Sequence, residues 1–199
     1  MTEQQERDFE EDGFIILENF LTSEETKRLS DAADEVVHRI QEEKGLPNET
    51  HFQVRNALAQ HEAFLDLIDH PRMLPLVVDA IGSNIQIRTS HLDYRPPYPD
   101  GMKAGIVGVG DGEDQEAGYR NVSWHPDLAS PDIFEGISLD GRLPFMEIKV
   151  FYTLFDMTES NCGNLWMVPG SYKRTPRELR NMGRQVPEEE ALELDFPRV

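Results

Sequence analysis

The chain has 199 residues, 38% of them hydrophobic and 29% charged, which suits one soluble domain over 1–199 with a real core. It carries 38 acidic against 19 basic side chains, a formal net charge of -19. That field repels phosphate backbones and anionic lipid surfaces, so it excludes nucleic-acid and membrane partners and disfavours a polyanionic substrate unless a local basic patch overrides it.

The N-terminus, "MTEQQERDFEEDG", is polar and acidic, unlike a signal or transit peptide. No apolar run approaches the roughly eighteen residues of a transmembrane helix. Cys162 is the one cysteine, which excludes an internal disulfide and a cysteine-based zinc site. A cytoplasmic location is expected. Nothing in the sequence sets the oligomeric state.

Residues 3–12 read as a short polar helix. "GFIILENFL" (13–21) has the β-branched and aromatic content of a strand. Thr22 and Glu25 have the spacing of a capping box. The helix they open runs to about Lys44, with Leu29, Ala33, Val36, Val37 and Ile40 on one face, and Gly45 and Pro47 stop it. "AFLDLIDH" and "RMLPLVVDAIG" predict two more short helices, split by Pro71 and ended by Gly82. "NIQIRTSHLDY" (84–94) alternates as a strand does. A long Pro-, Gly- and acid-rich loop comes next (96–118), of the kind that is functional or disordered. "YRNVSWH" (119–125), "FMEIKVFYTLFDM" (145–157) and "GNLWMVPG" (163–170) predict further strands. Helices first and strands later make an α+β pattern.

Within "NVSWHPDLAS", His125 and Asp127 stand two apart. On a strand, such residues point to one face, so an imidazole and a carboxylate can meet one ion. These are two members of the two-histidine, one-carboxylate set that holds non-haem Fe(II) and leaves open positions. The spacing is weak evidence by itself. With six histidines in the chain, one such pair arises by chance in roughly four chains of ten, and His91 and Asp93 form a second. The plain alternative for either pair is a hydrogen-bonded couple at a strand end or surface.

The stretch beyond His125 separates the two pairs. It holds a strand with Tyr152, a turn with Asn161 and Gly163, a second strand, then Pro169, Gly170 and Ser171. With "WHPD" ahead of it, "DGFIILENFLTSEE" at the start and "VRNALAQHEAFLDLIDHPRMLPLVVDAIGSNIQI" in the middle, the chain resembles the phytanoyl-CoA dioxygenase family of oxygenases dependent on Fe(II) and 2-oxoglutarate. The resemblance implies a double-stranded β-helix, a jelly-roll or cupin-like core, with the N-terminal helices packed outside. It implies His125 and Asp127 as iron ligands, and Tyr152 and His91 as contacts of the cosubstrate 2-oxoglutarate. With O2, such a site hydroxylates a small organic molecule. Related halogenases have a small residue in place of the aspartate, leaving room for halide, so Asp127 favours hydroxylation. For Tyr152 the plain alternative is a core aromatic, and for His91 a hydrogen-bonded strand histidine.

Two departures stand out. The histidine that usually comes after Pro-Gly-Ser is Tyr172, for which a change in packing is expected. No histidine lies beyond His125, so the family's third iron ligand and the arginine for the far carboxylate of 2-oxoglutarate have no counterpart. The chain is therefore expected to be truncated at its C-terminus, short of its last strands and inactive alone. Two other readings stay open: a degenerate, non-catalytic metal- or ligand-binding module, and a cupin-like protein in which His91 replaces the lost ligand. The glycine-rich "GIVGVGDG" lacks the Gly-Lys-Ser/Thr of a phosphate cradle.

Overall fold

The computed structural model describes residues 1–96, 103–105, 113–114, 119–121, 147–158, 163–174, 178, 186, 190–194 and 196. The chain forms two compact units. One comprises 17–97, 149–163 and 195–199; the other comprises 1–16, 98–148 and 164–194.

The first unit is organised by helix α2 (Ser23–Lys44), which begins where its cap predicts. The Thr22 hydroxyl accepts from the Glu25 N–H at 3.2 Å, and Glu25 Oε2 accepts from the Thr22 N–H at 2.7 Å. Both ends of the box satisfy backbone donors that a helix start leaves orphaned. At the far end Gly45 adopts φ +61° and the Leu46 N–H donates to Gln41 O at 2.9 Å, closing the last turn. Between the caps, Leu29, Ala32, Ala33, Val36, Val37 and Ile40 are all buried, Val36 to 1% exposure. This is the face the sequence predicts. Each leucine, valine or isoleucine among them contributes about 1.5–3 kcal/mol on burial, and the alanines less.

Against this stripe pack Phe20, Leu21, Val54, Ala63 and Phe64, with Leu17, Phe52, Leu92, Tyr152 and Leu154 around them. Short 3-10 segments at Ala57–Ala59 and Glu62–Leu67 carry some of these residues, the latter where a short helix is expected. Helix α3 (Leu74–Ile81) comes next, with a proline in its first turn, and Gly82 ends it. Strand β1 (Phe52–Arg55), which the sequence does not predict, pairs antiparallel with β2 (His91–Tyr94). Phe52, Val54, Leu92 and Tyr94 face inward, and Gln53, Arg55, His91 and Asp93 face outward and are exposed.

The second unit holds α1 (Glu3–Asp12) and two small sheets. Strand β3 (Lys103–Gly105) runs parallel to β5 (Tyr119–Asn121), which pairs antiparallel with β4 (Glu113–Asp114). Strand β6 (Trp166–Met167) pairs antiparallel with β7 (Leu192–Glu193). Helix α1 has no basic residue in its last turn. Its terminal carbonyls are satisfied instead by the turn after Pro169. The Gly170 N–H donates to Asp12 O at 2.7 Å, Lys173 Nζ donates to Glu11 O at 2.8 Å, and the Tyr172 hydroxyl donates to Glu10 O.

Several predicted strands are shorter than expected or absent, and each case has a physical reason. Segment 13–21 is not a strand. Gly13 leaves α1 with φ +85° and Asn19 sits at φ +52°, so the backbone turns twice, although Phe20 and Leu21 are still buried. Only His91–Tyr94 of 84–94 enters a ladder, because β1 offers four partners; Ile87 is 55% exposed. The described part of 145–157 makes no strand, only a bridge between Met157 and Phe196. In 163–170 the ladder stops at Met167, ahead of the turn at Pro169 and Gly170. Of 119–125, residues 119–121 are strand and the rest lie outside the described residues.

The fold is thus mixed helix and small sheets, and the described strands do not by themselves make up a double-stranded β-helix. No helix among the described residues is long and apolar enough to cross a membrane.

Two substitutions test these anchors. Leu29→Ala should cost about 3 kcal/mol in chemical denaturation, while Lys27→Ala, on the exposed face, should cost well under 1 kcal/mol. Gly13→Ala should destabilise by more than about 1 kcal/mol, because φ is +85° and a Cβ there would meet the Tyr172 ring at 2.5 Å. Combining it with Tyr172→Ala should recover the steric part of that loss and leave the part due to φ.

Candidate functional site

Of the four residues the sequence singles out, His125 and Asp127 lie outside the described residues. Among the described residues, no three His, Cys, Asp or Glu side chains gather as metal ligands. The described geometry concerns His91, Tyr152 and the polar groups around them.

His91 opens β2, and its Nε2 lies 3.1 Å from Thr89 Oγ1. Asp93 shares its exposed face, as residues two apart on a strand must. The Asp93 carboxylate is already engaged: it accepts from Gln53 Nε2 at 3.0 Å and lies 3.4 Å from Arg95 Nη2. His91 and Asp93 are thus each engaged with other neighbours rather than with one another.

Tyr152 packs against the α2 core, its ring centroid 6.2 Å from that of Phe20. Tyr152 and Leu154 turn to the core while Phe151 and Phe155 are each 58% exposed, but Val150 is exposed as well, so no strand-like alternation runs through the segment. The Tyr152 hydroxyl is buried with no hydrogen-bond partner among the described residues. Burial and, secondarily, the negative charge of Glu25 push its pKa up to about 12. His91 faces outward from the β1–β2 ladder and Tyr152 belongs to the core beneath the ladder's inner face, so the structure does not bring these two side chains together.

A polar cluster that the sequence does not reveal lies beside Tyr152. His70 is 5% exposed and tilts over Phe20 at 5.0 Å between centroids. Its Nδ1 accepts from the Arg72 N–H at 3.3 Å, which assigns the proton to Nε2, and Nε2 donates to Glu25 Oε1 at 3.3 Å. The Arg72 guanidinium lies 4.6 Å above the Phe20 ring and donates to Phe20 O. Glu25 thus accepts from the helix start and from His70. Hydrogen bonds from the Thr22 N–H and hydroxyl, with a lesser part from His70, hold its carboxyl below the ordinary value. A lowered carboxyl stabilises the fold above its unfolded pKa, and that contribution is lost as pH falls through the folded value. A capping-box glutamate is legible in sequence, but its partner forty-odd residues downstream is not.

The chain matches the family model for phytanoyl-CoA dioxygenase (PhyH) over residues 9–195. It belongs to that family, a family of oxygenases whose members typically depend on Fe(II) and 2-oxoglutarate. No curated protein and no solved structure matches the chain significantly.

The state of Tyr152 can be measured directly. In a spectrophotometric titration, one of the five tyrosines should ionise only near pH 12, well above the usual phenol range of about 10. Because the folded pKa is raised, the stability linked to it is fully present below about pH 10 and lost as pH climbs towards 12. Tyr152→Phe should remove that late step and leave thermal stability unchanged or higher, since the deleted hydroxyl has no partner among the described residues.

Proposed function

We propose that this chain is an oxygenase that uses Fe(II), 2-oxoglutarate and O2 to hydroxylate a small organic molecule in the cytoplasm. The observation that carries the reading is the family match over 9–195, with His125 and Asp127 at the spacing of the family's first two ligands. Their donor chemistry fits the metal. A neutral imidazole and a carboxylate suit Fe(II), and a set completed by one more imidazole leaves positions open for small molecules.

When bound, iron and 2-oxoglutarate supply oxidative decarboxylation coupled to oxidation of the substrate. The protein's part is to hold and to orient. His125 donates a ring nitrogen and must be neutral to do so. Asp127 fills a position that a smaller residue would leave to halide, which favours hydroxylation. His91 and Tyr152 are each proposed as a cosubstrate contact, as alternatives rather than together, since the structure keeps them on different sides of the ladder. His91 offers a ring on an exposed strand face, and Tyr152 a neutral phenol on the core side.

The test is turnover. In a complete version of the protein, His125→Ala and Asp127→Ala should each lower iron-dependent succinate formation from 2-oxoglutarate by about 100-fold or more. Asp93→Ala, in the other His-x-Asp pair, should retain most of it. Wild-type rates in either ligand variant would remove the assignment. Tyr152→Phe should raise the KM for 2-oxoglutarate with little effect on stability; an unchanged KM would make Tyr152 a packing residue alone.

A further inference from the structure

We infer that the outward face of the β1–β2 ladder is a carboxylate subsite, in which the Arg55 guanidinium and the His91 imidazole together grip one carboxylate of a small organic acid. The argument begins with register. Arg55 stands directly opposite His91, and Gln53 opposite Asp93, all four on the exposed face. Side chains directly opposite on antiparallel strands have Cβ atoms about 5 Å apart, close enough for one carboxylate to reach both.

The groups on this face are unequally committed. Asp93 is taken by Gln53 and Arg95. One nitrogen of His91 meets Thr89, leaving the other edge of the ring open. Arg55 has no side-chain hydrogen bond or ion pair among the described residues, in a chain with 38 acids to 19 bases. Its guanidinium presents a planar fork of donors that matches a carboxylate at two points. The one carboxylate on the face, Asp93, is held a register step away by other partners.

The pair also sits on a firm base. Inward, Val54 is 6% exposed and packs with Phe52 and Leu92 onto the α2 core. Beyond Arg55 the chain stays tied to the neighbouring strand. The Ala57 N–H donates to Ser90 O at 3.3 Å and the Leu58 N–H to Ser90 Oγ at 3.2 Å. Arg55 and His91 are therefore held from both sides of the pair. A guanidinium with a histidine supplies donors enough for one carboxylate, and a singly charged group meets less repulsion from the chain's net negative charge than a doubly charged phosphoryl group does.

The existence of the subsite does not depend on the oxygenase reading. Only the source of the carboxylate does: 2-oxoglutarate itself, or an acid group on the substrate. The test uses the full chain, free of metal, at low ionic strength. NMR signals of the Arg55 Nε–H group and the His91 ring are tracked while 2-oxoglutarate, hexanoate or neutral hexanamide is added. Both signals should move saturably with at least one of the acids and not with hexanamide. Arg55→Gln should weaken binding about tenfold or more, Arg55→Lys by less, and Lys27→Gln, on α2, not at all. Unchanged backbone signals across β1 and β2 would show that the ladder survives each change. Clear preference for 2-oxoglutarate would assign the site to the cosubstrate, and equal or better binding of hexanoate to a substrate acid group. Shifts that never saturate, or equal affinity in Arg55→Gln, would overturn the proposal. With no iron present, the outcome is independent of the His125 and Asp127 turnover test.

Discussion

Glu25 binds two elements with one carboxylate. It closes the capping box on Thr22 and accepts a hydrogen bond from the buried His70. The first contact sets where α2 begins, and so sets the phase of the apolar stripe along it. The second ties that start to the turn ahead of α3. With the phase set, Leu29, Ala33, Val36 and Ile40 point to one side, and Val54, Phe64 and Leu92 find them there. The β1–β2 ladder is a consequence of this arrangement. A two-stranded ribbon is marginal in water, and this one persists because one of its faces is pressed on the helix. Its other face is then free to carry Arg55 and His91.

The helical half of the first unit was legible because its signals are local. A threonine three residues before a glutamate, an apolar period of three to four and a glycine at the end lie within one segment, and each element formed close to its predicted bounds. The strands were less legible because a strand is defined by its partner. "GFIILENFL" has strand composition, but the positive φ of Asn19 bends it and no described strand pairs with it. "HFQVR" is short and polar at every second position, and it became a strand only because β2 lies beside it.

The site divides along the same line. His125 and Asp127 were readable as a pair of donor types at a strand spacing, and they lie within the span that matches the family model. Arg55 was not readable. An arginine between a valine and an asparagine carries no chemical signal until the register sets it across from His91. His70 was hidden in a similar way. Among several histidines it is the one at 5% exposure, and sequence periodicity in a short turn does not report burial.

Gly13 answers to two constraints that arise at different distances along the chain. Its backbone, at φ +85°, is a local demand of the helix end, and the ring of Tyr172 above its Cα is imposed from far away. Relatives that carry histidine at 172 would present a different ring to position 13 but leave the helix end the same demand. The two positions should therefore drift together across generations. Larger residues at 13, asparagine first because it tolerates this backbone region, should be found where the aromatic ring at 172 has shrunk or gone.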